Sequence, residues 1–184
     1  MIEEVGANVS GWHKGDKVIA RLDPVAGGAL AGFACVPANY LVKVPEDMPL
    51  EVAAGIPTAA GTAWQALFEL GGLGVGQTVL IHAGAGGVGS FAIQFARASG
   101  ARVIATASGL VAPPDEALAH AHNVNAQFVF HMSDGDRLAR VVSAMTENNV
   151  RVLIDRTVPL DQFADAFARQ SSGRARGKII ATVV

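Results

Sequence analysis

Four glycines, Gly84, Gly86, Gly87 and Gly89, fall within six consecutive residues of the most apolar part of the chain. The run Thr78-Val79-Leu80-Ile81-His82 leads into them, and the uncharged run Val88 to Ala96 leaves them. A strand that enters a glycine turn and leaves as a helix aims several backbone N–H groups, and the helix's positive end, at one point, which suits a pyrophosphate. Gly84-Ala85-Gly86-Gly87-Val88-Gly89 has the spacing G-x-G-x-x-G. The first glycine makes the tight turn, the second lets phosphates approach the backbone, and the third lets helix pack closely on strand. The motif alone is weak. Its place between a strand and a helix, in a unit of about 30 residues, is the context it needs. The residues therefore predict a dinucleotide loop, against the alternative of a bare structural turn.

The elements around the loop supply the frame. "TVLIH" is expected as a strand, "GVGSFAIQFARAS" as a helix ended by Gly100, and "ARVIATA" as a second strand. Strand–helix–strand units with short connections point to a parallel sheet and an α/β fold. "GLVAPPDEALAHAHNVN" interrupts this rhythm, "AQFVFHM" resumes it as a strand, and "DGDRLARVVSAMTENN" reads as a helix with Leu138, Val141, Val142 and Met145 on one side. "VRVLIDRTVP", the helix "LDQFADAFARQSS" and the terminal strand "GKIIATVV" follow. Before the loop, residues 1–48 read as β-rich, with "DKVIAR" and "GFACVPANYLVKVP" as short β-prone runs, and Pro49 opens a mainly helical stretch split by Pro57. At the end of the second strand, an Asp or Glu about 20 residues past the first glycine would favour NAD. This chain has Thr106, Ala107, Ser108 and Gly109 there, with no carboxylate until Asp115. A 2′-phosphate would meet no repulsion and Ser108 could donate to it, so NADP(H) is favoured over NAD(H).

Composition excludes several classes. The chain has 184 residues, 51% hydrophobic and 16% charged, with a formal net charge of −2; it can bury a core and carries no electrostatic footprint for nucleic acid. The stretch Leu70 to Ala96 contains no Asp, Glu, Lys or Arg. Its glycines and polar residues nevertheless break it into strand, turn and helix, so no membrane span is expected. The N-terminus has no apolar leader segment. Cys35 is the only cysteine. Disulfides within the chain are excluded, a reducing, cytoplasmic setting fits, and Cys35 itself reads as a small buried hydrophobe. His120 and His122 would diverge on a helix and read as a surface pair, and His82 as a packed histidine.

"VGANVSGWHKGDKV", "VPANYLVKVPEDM", the run from Ala53 to Ser108 and the tail "GRARGKIIATVV" closely resemble the medium-chain dehydrogenase/reductase superfamily. Within it the resemblance is to the zinc-independent quinone oxidoreductase branch, which includes NADPH:quinone reductases and enone reductases. The family pairs a GroES-like substrate domain with a Rossmann domain. The resemblance implies that Gly84, Gly86, Gly87, Val88 and Gly89 form the pyrophosphate loop. It further implies that Thr62 lies against the nicotinamide, although a threonine bonding its own helix backbone is the competing reading. Ser108 falls where the adenosine ribose or its phosphate is read. Arg174 matches an arginine that approaches the NADP phosphate, with Arg176 and Lys178 as competitors and a solvated basic tail as the alternative. The zinc ligand sets of the zinc-containing branch have no match, so no zinc is expected.

Two blocks of the family pattern have no counterpart: the first strands of the GroES-like domain, and several Rossmann strands between "ATASG" and "LVAPPDEAL". The expected fold is α/β, a partial Rossmann (doubly wound parallel sheet) domain with a remnant of a GroES-like β domain. Its divisions are 1–50 (partial GroES-like), 51–160 (partial Rossmann with the preceding helix) and 161–184 (a C-terminal helix and strand returning to the substrate domain). The resemblance implies an NADPH-dependent oxidoreductase that transfers hydride to a quinone or an α,β-unsaturated carbonyl. The missing blocks leave activity weak or absent. The alternative is a non-catalytic nucleotide-binding or interaction fragment. Tyr40 reads as a packing residue, and no catalytic acid can be named. The incomplete sheet predicts a homo-oligomer, a dimer, or an aggregation-prone chain.

Overall fold

Three small strand pairs and a core of helices make up the computed structural model, which describes residues 1–25, 27–106, 129 and 132–183. The N-terminal pair is β1 (Val18–Ile19) and β2 (Val42–Lys43), antiparallel. The run "GFACVPANYLVKVP" forms much less strand than its composition suggests. Apart from β2 it contributes a single 3₁₀ turn, Ala38–Tyr40. A β-prone segment becomes a strand only where a neighbour accepts its hydrogen bonds, and here Val18 and Ile19 are the partners. Cys35 is consequently exposed, not buried as its residue type suggested.

Helix α1 (Leu50–Ala54) leads into α2 (Pro57–Trp64), with Pro57 at the start, where its missing N–H costs nothing. The apolar pattern carries the helix onward, but Gln65–Leu70 is wound as a π-helix, and Gly71 N–H bonds back to Ala66 O at 3.0 Å. Ala59, Ala60 and Ala63 are buried, and their small side chains let α2 lie close to α3 (Gly87–Ala98). Phe91, Phe95 and Ala96 of α3 are buried in the same core, where Trp64 meets Phe95 edge-on at 5.5 Å. Helix α3 stops where Gly100 takes a φ of 79°, a left-handed conformation that favours glycine.

Strands β3 (Thr78–Ile81) and β4 (Arg102–Ala105) flank α3 in sequence and pair in parallel, with Ile81 opposite Ala105. Ile81 is buried. On the solvent-facing side, the paired residues Leu80 and Ile104 are 56% and 49% exposed. Helix α4 (Gly135–Glu147) begins where Asp134 accepts the Arg137 N–H at 2.9 Å; its predicted face of Leu138, Val141, Val142 and Met145 is buried. The last unit is β5 (Ile154–Pro159), α5 (Phe163–Ser171) and β6 (Lys178–Thr182), and the two strands are again parallel. Thus β5 joins β6, across the division expected after residue 160. The strand expected at "AQFVFHM" and the pair His120 and His122 lie outside the described residues. No helix among the described residues is long and apolar enough to cross a membrane.

Candidate functional site

The glycine loop connects β3 to α3, and three features of its backbone account for its residues. Ala83 has a φ of 53°, a left-handed conformation uncommon outside glycine, which turns the chain sharply off the strand. A methyl group built on Gly84 would lie 2.7 Å from Ile93 Cδ1 and 3.3 Å from Thr106 O. One built on Gly89 would overlap Ala83 O, so the third glycine is where the helix is pressed against the turn that precedes it. Gly86 differs. Its φ of −79° suits any residue, and a methyl group there meets only Ala83 O, at 3.2 Å. Space rather than strain is what Gly86 provides.

Thr106, just past β4, ties the loop down. Its carbonyl accepts the Gly84 N–H at 2.7 Å, and its hydroxyl oxygen accepts the Ala83 N–H at 3.3 Å. His82 Nδ1 is 3.2 Å from the same hydroxyl, and its side chain is exposed rather than packed as expected. On the far side of the loop, the first helical bond of α3 is donated by Ser90 to Gly86 O, and no side chain caps the helix. The N–H groups of Gly87, Val88 and Gly89 therefore have no partner among the described residues.

The C-terminal segment closes on this loop. Gly86 and Gly177 form a parallel β-bridge, and Gly177 donates its N–H to Ala85 O at 3.0 Å. Gly177 is buried with a φ of 88°, and a side chain there would strike Leu153 O. The next residue, Lys178, packs against Gly87: a methyl built on Gly87 would stand 3.0 Å from Lys178 Cδ and 3.7 Å from Lys178 Nζ. The Lys178 ammonium has no ion pair or hydrogen bond among the described residues, and burial pushes its pKa below the ordinary lysine value. A cation thus sits half-buried beside the positive end of a 12-residue helix, with no carboxylate paired to it among the described residues. Both features favour an anion in the same place.

Of the other sequence candidates, Val88 is exposed in the first turn of α3. Thr62 lies on α2, where its hydroxyl donates to Thr58 O at 2.7 Å, so the oxygen can only accept from any further partner. Arg174 is exposed in the connection before β6, and its guanidinium has no hydrogen bond or ion pair among the described residues. Ser108 lies outside the described residues. The basic residue that reaches the loop is Lys178. From the sequence alone Lys178 is only a competitor of Arg174, because its proximity to the loop depends on the pairing of β5 with β6. Nowhere among the described residues do three or more His, Cys, Asp or Glu side chains gather as metal ligands.

A parallel strand–loop–helix with this glycine spacing defines a Rossmann-type nucleotide-binding unit, and comparison with known proteins places it. The family model for the zinc-binding dehydrogenases matches residues 72–180. The chain belongs to that family, within the medium-chain dehydrogenase/reductase superfamily and on its quinone oxidoreductase-like side. A chloroplast envelope quinone oxidoreductase homologue of Arabidopsis thaliana is 40% identical over 110 residues, 57% of this chain and 33% of that protein. A highly reducing polyketide synthase of Aspergillus terreus is 40% identical over 112 residues, 60% of this chain and 4% of that protein. This chain therefore spans a third or less of these relatives. Among solved structures, a mycobacterial protein complexed with NADPH superposes with a TM-score of 0.83 at 22% identity, over 98% of this chain and 79% of that one. That likeness is one of fold, and the fold is α/β with a partial Rossmann domain.

Proposed function

We propose that this chain binds a nicotinamide dinucleotide, NADP(H) in preference to NAD(H), and belongs functionally with the reductases of quinones and α,β-unsaturated carbonyls. One observation carries the reading: the unpartnered N–H groups of Gly87, Val88 and Gly89 and the unpartnered Lys178 ammonium converge on one space. A pyrophosphate is the anion whose size and charge fit such a cradle. When bound, the dinucleotide supplies the hydride. The protein's part is to hold the phosphates on the loop, with Lys178 offsetting their charge. Thr62, whose oxygen is left as an acceptor, is assigned to the carboxamide N–H of the nicotinamide, Ser108 to the adenosine ribose or its phosphate, and Arg174 to the 2′-phosphate. The Arabidopsis relative supports a small-molecule quinone substrate, and a chain whose only cysteine is unpaired suits a reducing compartment such as the cytoplasm. We assign no zinc, since Cys35 stands alone in an exposed loop.

A second reading is favoured by one specific observation. Among the described residues, β3 and β4 form a sheet of two strands, where a dinucleotide fold ordinarily has about six. On that reading the chain holds a nucleotide without turning it over. Fluorescence titration with NADPH, followed by quinone-dependent loss of its absorbance, separates the two: binding with turnover supports the reductase, and binding alone supports the nucleotide-holding fragment. Lys178→Met is expected to weaken NADPH binding about tenfold, as loss of a charged hydrogen bond does. Binding should also weaken in the wild type as pH rises through the depressed Lys178 value. Equal affinity for the variant and the wild type would remove Lys178 from the site.

A further inference from the structure

Beyond the loop itself, one carboxylate organises the segment that delivers Lys178. Asp155 lies on β5 with its side chain 8% exposed. Its Oδ1 accepts from Arg169 Nη2 at 2.9 Å and from the Arg176 backbone N–H at 3.0 Å, while Oδ2 accepts from Arg169 Nε at 3.0 Å. Arg156 Nε stands 3.4 Å from Oδ2. The Arg169 guanidinium beside it, then the Arg176 N–H, hold the Asp155 carboxyl far below the usual carboxylate range. Three successive N–H groups are thereby fixed: Arg176 to Asp155, Gly177 to Ala85 O, and Lys178 to Leu153 O at 2.7 Å. Before them the connection offers little restraint. Gly173 has a φ of 67°, and Arg174 is tethered only through its N–H to Ser172 Oγ at 3.3 Å.

We infer that Asp155 is a positioning residue for the anion site: it sets the 176–178 backbone so that Lys178 points at the N-terminus of α3. The inference rests on the dinucleotide reading for its ligand, but not for its geometry. Removing the charge takes the counter-ion from Arg169 and Arg156 and leaves, in a carboxamide, one acceptor oxygen for the three N–H groups that two oxygens now serve, so the Arg176 N–H must compete with Arg169 for it. The connection then loses its attachment to β5, and the Lys178 ammonium loses its fixed place beside Gly87. Among the described residues the hydrogen bonds and ion pairs of Asp155 go to Arg169, Arg176 and Arg156 and none to the loop, so it acts through the chain it holds.

The test uses the whole chain and two readouts. Asp155→Asn is expected to raise the NADPH dissociation constant about tenfold, and Asp155→Asn combined with Lys178→Met should bind no more weakly than Lys178→Met alone. Without nucleotide, the rate at which an amine-acylating reagent labels Lys178, measured against Lys14 and Lys43 by peptide mass spectrometry, should rise in Asp155→Asn. Should that variant fail to fold, Arg176→Pro removes the N–H donated to Oδ1 together with the Arg176 side chain, and Arg176→Ala removes the side chain alone; Arg176→Pro should reproduce both effects with the ion pair intact, and Arg176→Ala should not. Additive losses in the double variant, or Lys178 labelling unchanged in Asp155→Asn and Arg176→Pro, would overturn the inference and leave Asp155 a stabilising residue only. If the wild type binds no NADPH but Lys178 labelling still depends on Asp155, the positioning role stands and the dinucleotide reading falls.

Discussion

Gly86 and Gly89 are both glycine for reasons of space, but the space belongs to different things. At Gly89 the neighbour is the protein's own backbone, Ala83 O, which cannot move without undoing the turn. At Gly86 the backbone tolerates a side chain, with Ala83 O shifting by a few tenths of an ångström at most. Gly89→Ala is therefore expected to destabilise the fold by about 1–3 kcal/mol, the usual cost of forcing a group into filled space. Gly86→Val should melt near the wild-type temperature and lose NADPH binding, because its branches fill the phosphate's volume. Thermal melts and fluorescence titrations of the two variants check this together. A Gly86→Val protein that binds NADPH as the wild type does would show that the phosphates lie elsewhere. The glycine spacing was legible in the sequence because Gly86 and Gly89 answer to the turn at Ala83, a few residues away. The partner Lys178 was not, because it arrives through a β-bridge between Gly86 and Gly177, residues far apart in the chain.

Elements whose pattern is self-contained could be read directly. Helix α3 runs from the glycine loop to the left-handed Gly100, and α4 buries the face its periodicity marks. What failed to be legible needed a partner. The stretch from Gly32 to Leu41 has β-prone composition but pairs with nothing as a strand, and the change to π-winding at Gln65–Leu70 leaves no periodic trace. That π-helix ends beside a second charged junction. Glu69 receives Arg137 through Nε and Nη2 at 2.8–3.0 Å, with Arg140 at 3.5 Å, and Asp134 caps α4 beside them. The hydrogen bond from Arg137 lowers the Glu69 pKa, and the Arg137 N–H lowers that of Asp134. A carboxyl group with a lower pKa when folded adds stability above its unfolded value, and loses it as pH falls through the folded value. Stability should thus decline on acidification below about pH 4.5. Glu69→Gln should cost about 1 kcal/mol at neutral pH, as expected for a partly exposed bidentate pair, and should flatten the acid limb. Denaturant melts of both proteins at pH 7 and pH 3.5 measure the difference; an unchanged acid limb would mean that the junction contributes nothing.

At the scale of the molecule, the feature with the largest consequence is a face of the β3–β4 sheet. Helix α3 covers one side, where Ile81 is buried. On the other, Leu80 and Ile104 stand opposite each other in register and are 56% and 49% exposed. Parallel sheets are ordinarily covered on both faces, since their strands carry apolar side chains to each side. Among the described residues, neither β3 nor β4 has a second strand beside it, and free edges of apolar strands are templates for pairing with another chain. Self-association is the expected result: the isolated chain should form dimers or larger species at micromolar concentration, and association should grow with added sulfate more than with chloride at equal ionic strength because apolar contact drives it. Leu80→Lys together with Ile104→Glu places opposite charges across the same register on the exposed face. It should shift the population towards monomer with little loss of thermal stability, since neither side chain contributes to the core around Phe91. Light scattering on dilute samples of both proteins decides the matter. A wild-type sample that is a single species of 18.9 kDa, with a cooperative melt, would show that this face is covered within the chain itself and that the unpaired strands attract no second copy.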